Sequence, residues 1–279
     1  MPSPAPVLHE TPLTQRLLLL TLGGDTIHTS WGANCVALAG RDATLLVDPL
    51  IAPPHARLVE AALARRGFPP VRHVVLTHHH TDHALGAGHF AARGAAVLCH
   101  ARCAEAMAAQ HGALVAARRR DPALAPLFAE AEPYAPAATF RTSATVELGD
   151  VAAVVHHLGP GHTPGDAVVV FESEGFAAVG DLVFDGSHFN YEEADLGALE
   201  WRLEQLASLA VGRFVPGHGE WGWREMLEAQ ATYHREVARL VRAAASAEEA
   251  RAAVLARFPD HALAFAVESA VLAHRAERG

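Results

Sequence analysis

The chain contains no lysine: all 22 of its Lys-plus-Arg residues are arginines. That absence excludes Schiff-base chemistry and every other mechanism that needs a primary amine side chain. Cysteine is scarce too, at three in 279 residues, an odd number that argues against a disulfide framework and fits a reducing compartment. No stretch approaches the roughly 18 uninterrupted apolar residues of a membrane span. The opening MPSPAPVLHETPLTQRLLLL has only four consecutive leucines, no basic leading segment and no small-residue cleavage site, so it does not read as a signal peptide. The formal net charge is −9, and the interleaving of acids and bases leaves no basic stripe for nucleic acid or for an anionic membrane. Together these absences predict a cytoplasmic protein whose partner is a small molecule, not nucleic acid or a membrane.

What is present is ample apolar material, 51% of the residues, enough for one large domain or one domain with an appendage. Short β-rich runs alternate with longer Ala/Leu/Arg/Glu stretches of helical period. Strands are predicted at 16–22, 34–40, 43–48, 71–77, 95–100, 151–158, 166–173, 175–181 and 213–217. Helices are predicted at 55–66, 83–93, 101–117, 197–210, 223–243, 246–257 and 261–276. Residues 118–138, rich in Pro and Ala, read as a surface excursion.

Chemistry-bearing side chains gather where predicted strands end. HHHTDH, residues 78–83, follows the apolar run VRHVVL. An extended backbone leaving a strand aims His78 and His80 the same way. Asp82 and His83 follow at the start of a helix that Thr81 or Asp82 can cap. Three further turns repeat the arrangement of apolar run, glycine and ligand-type residue: GPGHTPGD with His162, AVGDLVF with Asp181, and VPGHGE with His218. LLVDP places Asp48 at the end of another strand. Imidazole and carboxylate without thiolate suit Zn²⁺ and also tolerate Fe or Mn.

In the order and type of these turns the chain resembles the metallo-β-lactamase superfamily, whose H-x-H-x-D-H signature matches His78, His80, Asp82 and His83. The resemblance implies an α/β fold, an αββα sandwich of two mixed β-sheets flanked by helices, with a metal site at one edge. It divides the chain into a catalytic domain over 1–222 and a C-terminal helical extension over 223–279. By the same resemblance His78, His80 and His162 would hold one metal and Asp82, His83 and His218 a second, with Asp181 bridging them. Asp82 would also carry a proton in the reaction, and Asp48 would orient a ligand such as His83. The cofactor implied is two Zn²⁺ ions, with Fe or Mn as substitutes.

The activity implied is a binuclear metal-dependent hydrolase attacking a small ester, thioester or lactone, as in the glyoxalase II and lactonase-like branches. The alternatives are a mononuclear iron-dependent oxygenase of the persulfide dioxygenase type, a β-lactamase-like amide hydrolase, or a silent binding protein. β-Lactamases of the family put a cysteine, or no carboxylate, where Asp181 stands. Glyoxalase II recognises glutathione partly through lysine, and LVFDGSHFNYEE after Asp181 departs from its pattern. Within that stretch His188, Phe189, Asn190 and Tyr191 are candidates to line the substrate pocket. His156 or His157 is a candidate neighbour of the centre, and His79 should point away from it. Cys99 and Cys103 in CHARC read as core. Trp223, Met226, Leu227, Tyr233, Val237 and Leu240 fall near helical spacing, the face of a helix that packs on the sandwich, caps the site or forms a homodimer surface.

Overall fold

A computed structural model describes residues 6–134, 136 and 138–276. The first five residues of the N-terminal segment and the last three of the predicted C-terminal extension therefore lie outside the described residues. The first half of the chain runs β1 (His9–Pro12), β2 (Leu17–Thr21), β3 (Asn34–Ala39), β4 (Thr44–Val47), α1 (Pro53–Arg65), β5 (Val71–Val75), α2 (Thr81–Ala84), α3 (Ala87–Ala91), β6 (Ala96–His100), α4 (Ala101–Arg120), α5 (Ala125–Phe128) and β7 (Ala138–Phe140). The second runs β8 (Ser143–Glu147), β9 (Ala152–His156), β10 (Val168–Phe171), β11 (Phe176–Phe184), α6 (Leu199–Ala207), β12 (Arg213–His218), β13 (Gly222–Trp223), α7 (Glu225–Ala243), α8 (Ala247–Arg257) and α9 (Val267–Ala276).

The strands form two mixed sheets. One has the order β1-β2-β3-β4-β5-β6-β7 and the other β13-β12-β11-β10-β9-β8. Pairing is antiparallel from β1 to β4 and parallel from β4 to β7. In the second sheet only β11 and β12 run parallel. This is the αββα sandwich that the resemblance implies.

The run of leucines at 17–20 shows why the layers form. In a strand, alternate side chains point to opposite faces. Leu17 and Leu19 join Val36, Leu45, Val169, Phe171 and Val215 between the sheets. Leu18 and Leu20 join Val59, Leu63, Phe90 and Met107 under the helices of the first sheet. A strand buried on both faces reads as continuous apolar sequence. The other sheet repeats the logic, with Val168, Val170 and Phe214 packed against Leu203 and Leu206 of α6 and Leu227 of α7.

Several boundaries differ from expectation. The helix predicted over 83–93 is two short helices, α2 and α3. Gly86 lies between them, donates its N–H to the Leu50 carbonyl at 2.8 Å, and sits where a Cβ would overlap the Pro49 carbonyl. Nor is α2 capped by Thr81 or Asp82: His80 is its N-cap residue and no side chain makes the capping bond. Residues 118–138 are not wholly an excursion, since α4 continues to Arg120 and α5 follows. Trp223 lies on the short strand β13 and is exposed, whereas Leu227, Tyr233 and Val237 do form the buried face of α7.

Helices α7, α8 and α9 pack on one another through Tyr233, Val237, Val254, Val267 and Val271, and the same cluster takes in Phe184, the last residue of β11, and Phe189 beyond it. No helix among the described residues is long and apolar enough to cross a membrane.

A histidine lies at the base of these helices. His234 is buried, shares a 2.7 Å hydrogen bond through Nδ1 with the Tyr191 hydroxyl, and accepts from the Gln230 amide at 3.0 Å through Nε2. Burial, with the charges of His274 and Arg235, lowers its pKa to about 3. The folded state therefore binds fewer protons than the unfolded chain, and the stability tied to His234 is present above about pH 6.5 and lost as pH falls toward 3. The melting temperature should drop between pH 6.5 and 4, and His234→Gln should flatten that drop. Calorimetric scans across this range check it, and parallel slopes in the two proteins would refute the assignment.

Candidate metal centre

The predicted site residues come from five separate segments, all at one edge of the two sheets. Asp48 follows β4, the run 78–83 follows β5, His162 sits in the turn between β9 and β10, Asp181 lies within β11, and His218 ends β12. All seven candidate metal ligands converge. His80 Nδ1 lies 2.9 Å from His162 Nε2, and His83 Nε2 lies 3.3 Å from His218 Nε2.

Asp181 stands between these two histidine sets. Its Oδ2 is 3.6 Å from His78 Nε2 and 3.4 Å from His162 Nε2. Its Oδ1 is 3.1 Å from His83 Nε2 and 3.6 Å from His218 Nε2. Asp82 Oδ2 approaches His83 Nε2 at 3.5 Å and His218 Nε2 at 3.3 Å. The donors thus divide into two groups able to hold a metal, His78–His80–His162–Asp181 and Asp82–His83–His218.

The local backbone explains how Asp181 gets there. Gly180 has φ +53°, the register of β11 against β12 shifts on either side of it, and a Cβ would overlap the side chain of Thr77. A bulge of this kind re-aims the following side chain. Gly217, opposite, leaves space that a Cβ would take from the Asp181 carboxylate.

Asp48 has φ +55°, left-handed backbone that, glycine aside, Asn and Asp adopt most readily. Its Oδ1 accepts from the Thr77 N–H at 2.8 Å and its Oδ2 from the Thr77 hydroxyl at 2.6 Å. The Thr77 oxygen, its own proton committed, accepts from His78 Nδ1 at 3.0 Å. Asp48 Oδ2 also lies 3.0 Å from His83 Nδ1. One aspartate therefore orients two imidazoles, His83 directly and His78 through Thr77, and turns the Nε2 atom of each toward the cluster, where His83 would have to give up a proton to ligate. The Trp31 carbonyl does the same for His218, 3.0 Å from its Nδ1. Asp166 shapes the turn that carries His162, accepting from the His162 N–H at 2.8 Å and the Thr163 hydroxyl at 2.6 Å.

Burial holds His80 at about 4 and His162 at about 3, with like charges nearby adding to the effect, and pushes His78 well below the ordinary value. Neutral imidazole is the form that ligates. Burial opposes charge on His83, but Asp181 and Asp82 outweigh it and hold the ring protonated well above the usual range. Burial likewise opposes charge on Asp181, and His83, His218 and His78 override it to keep the carboxylate ionised.

Whether these residues fit a cation can be judged from their unpaired atoms. Buried His78 Nε2 and Asp181 Oδ1 make no hydrogen bond, although buried polar atoms are normally paired. Both face the other donors. A pair of cations between the two groups would satisfy these atoms, so the residues fit the metals that the resemblance implies.

Of the other candidates, His188 and Asn190 line the cavity outside the cluster, a space of about 310 Å³, while Phe189 packs edge-on against the His162 ring at 5.3 Å. Tyr191 points into the helices instead, to His234. His157 does not reach the centre: it stacks on His100 at 3.8 Å and bonds the Asp166 carbonyl at 2.7 Å. His79 turns away from the cluster toward Glu193, 3.3 Å from its carboxylate. Cys99 and Cys103 are buried core. The pattern of strand ends did not single out Thr77, Asp166, the Trp31 carbonyl or Arg118 in the cavity wall. Thr77 precedes the histidine run and Asp166 closes GHTPGD, so two of the four stood beside motifs already in view.

A family model described as the metallo-beta-lactamase superfamily matches residues 28–218, and the chain belongs to that superfamily. Among solved structures it is similar to the metallo-β-lactamase FIM-1 from Pseudomonas aeruginosa, determined in a mono-zinc form, at TM-score 0.67 and 23% identity over 84% of this chain and 97% of that one. It is similar also to metallo-β-lactamases from Pontibacter korlensis, at TM-score 0.68 and 20% identity over 82% and 99%, and from Hirschia baltica, at 0.64 and 19% over 81% and 96%. Among curated proteins nothing matches this chain.

Proposed function

We propose that the protein is a binuclear metal-dependent hydrolase, holding zinc or a comparable divalent metal, that acts on a small ester, thioester or lactone. The observation that carries this reading is the two-sided placement of Asp181, with one carboxylate oxygen toward His78 and His162 and the other toward His83 and His218. A pair of metals, when bound, supplies a nucleophilic hydroxide at neutral pH and accepts charge on the leaving atom.

The chain's own residues set the conditions. Asp82 faces the second histidine group and lines the cavity, where its carboxylate can take a proton from the attacking water and pass it to the leaving group. Phe184 stacks on His218 at 4.9 Å and Phe189 flanks His162, shielding the ligands from bulk water. Asp181 favours this class over amide hydrolysis, because it stands where β-lactamases of the family differ.

A panel of phenyl esters, simple thioesters, γ-lactones and a penicillin, run on zinc-reconstituted protein, tests the reading. One of the first three should turn over with kcat/KM of about 10⁴ M⁻¹s⁻¹ or more, the ordinary enzymatic range. A glutathione thioester should be poor, for want of lysine. A penicillin preferred over all of them, or no turnover at all, would contradict the proposal.

A further inference from the structure

The wall of the cavity holds one arginine, and although Asp82 attracts it from a distance, no carboxylate of the described residues pairs with it. Arg118, in the last turn of α4, lines the cavity together with Asp82, His218 and Phe265. Its Nη2 donates to the Thr81 hydroxyl at 2.8 Å. Its guanidinium lies 4.9 Å from the ring centre of Phe128 and 5.9 Å from that of Trp31. It forms no ion pair among the described residues, and its Nη1 is buried without a hydrogen-bond partner.

The neighbouring acids are otherwise engaged. Glu193 is held by His79 and by Gln110 at 3.2 Å, and Asp82 faces His83 and His218. Arg119, next in sequence, is satisfied by Glu132 and by backbone carbonyls. Partial burial of a charge without a counter-charge is costly. Aromatic rings and one hydroxyl hold the planar fork of Arg118 in place but do not balance its charge. A fork of this shape matches a carboxylate or similar oxyanion.

We propose that Arg118 is a specificity residue, binding an anionic group, a carboxylate or its equivalent, that the substrate carries away from the bond to be cleaved. Trp31, Leu114 and Phe265 line the same cavity, so the body of the substrate beside that anion is apolar. The inference rests on the hydrolase reading for the word substrate, and it is tested in a way that separates the two.

The first measurement needs no catalysis: binding of glutarate and of glutaramide to zinc-reconstituted protein by calorimetry, with metal content measured on each sample. Arg118→Gln should weaken glutarate by about 10- to 100-fold, the range of a charge-assisted hydrogen-bonded contact, and should narrow the gap between the two ligands. The second compares mono-p-nitrophenyl glutarate with p-nitrophenyl butyrate. The ratio of their kcat/KM values should fall by a similar factor in Arg118→Gln, chiefly through KM, and Arg118→Lys should recover part of it. If Arg118→Gln does not fold, Arg118→Lys is expected to show a smaller loss of the same kind. Glutarate affinity and ester ratio unchanged by either variant would overturn the proposal. Lost glutarate binding in a protein that hydrolyses neither ester would uphold the anion site and sink the hydrolase reading instead.

Discussion

Asp181→Ala should retain at most one metal per chain and lose hydrolytic activity by about 10²-fold or more, the scale of losing a catalytic electrostatic element. The expectation follows from where the carboxylate stands. Each of its oxygens faces a different histidine group, at 3.1 to 3.6 Å. Without it, two cations would repel one another with no protein carboxylate shared between them, and the group of His78, His80 and His162 would keep the better claim to a metal, having three imidazoles. The melting temperature should change little, because the core between the sheets and beneath the helices consists of other residues. Metal analysis, rate and melting on one sample test all three statements. A mutant that kept two metals and near-normal rate would show that Asp181 does not bridge.

Much of this was legible because strands buried on both faces announce themselves as apolar runs, and because an isolated polar residue at the end of such a run has few structural reasons to be there. The runs at 17–20 and 74–76 are of that kind; four of the candidates follow the second of these, His162, Asp181 and His218 stand in glycine-bearing turns by other apolar runs, and the resemblance assigned the seven to metals. The missed strands are short and lie at sheet edges or near them. Those that do not bury both faces carry no such signal: β1 is HETP and β8 is SATVE, largely exposed. The helix 83–93 read as continuous from its periodicity, and only the approach of Pro49 and Leu50 to Gly86 breaks it. Residues acting through the backbone or from afar had no local mark either. Trp31 orients His218 with its carbonyl across 187 positions of sequence, and Arg118 reaches Thr81 across 37. Asp48 was read as orienting His83, but its second task, holding His78 through Thr77, depends on a left-handed backbone that no pattern of residue types displays.

The central claim is that two metals act together, and titrating metal-free protein with zinc while following both occupancy and rate tests it most directly. Seven donors in two groups, with the carboxylate of Asp181 shared between them, predict that binding saturates at two zinc ions per chain. The first equivalent should go mainly to His78, His80 and His162 and give little activity. The second should bring the rate, because two cations together would acidify the attacking water and also take up charge on the leaving atom, a division of labour that one cation cannot supply. A chelator should abolish turnover and zinc should restore it. Saturation at two equivalents, with the rate rising on the second, is the result this account predicts. Full activity with one metal, iron included, or activity that survives complete metal removal, would contradict it.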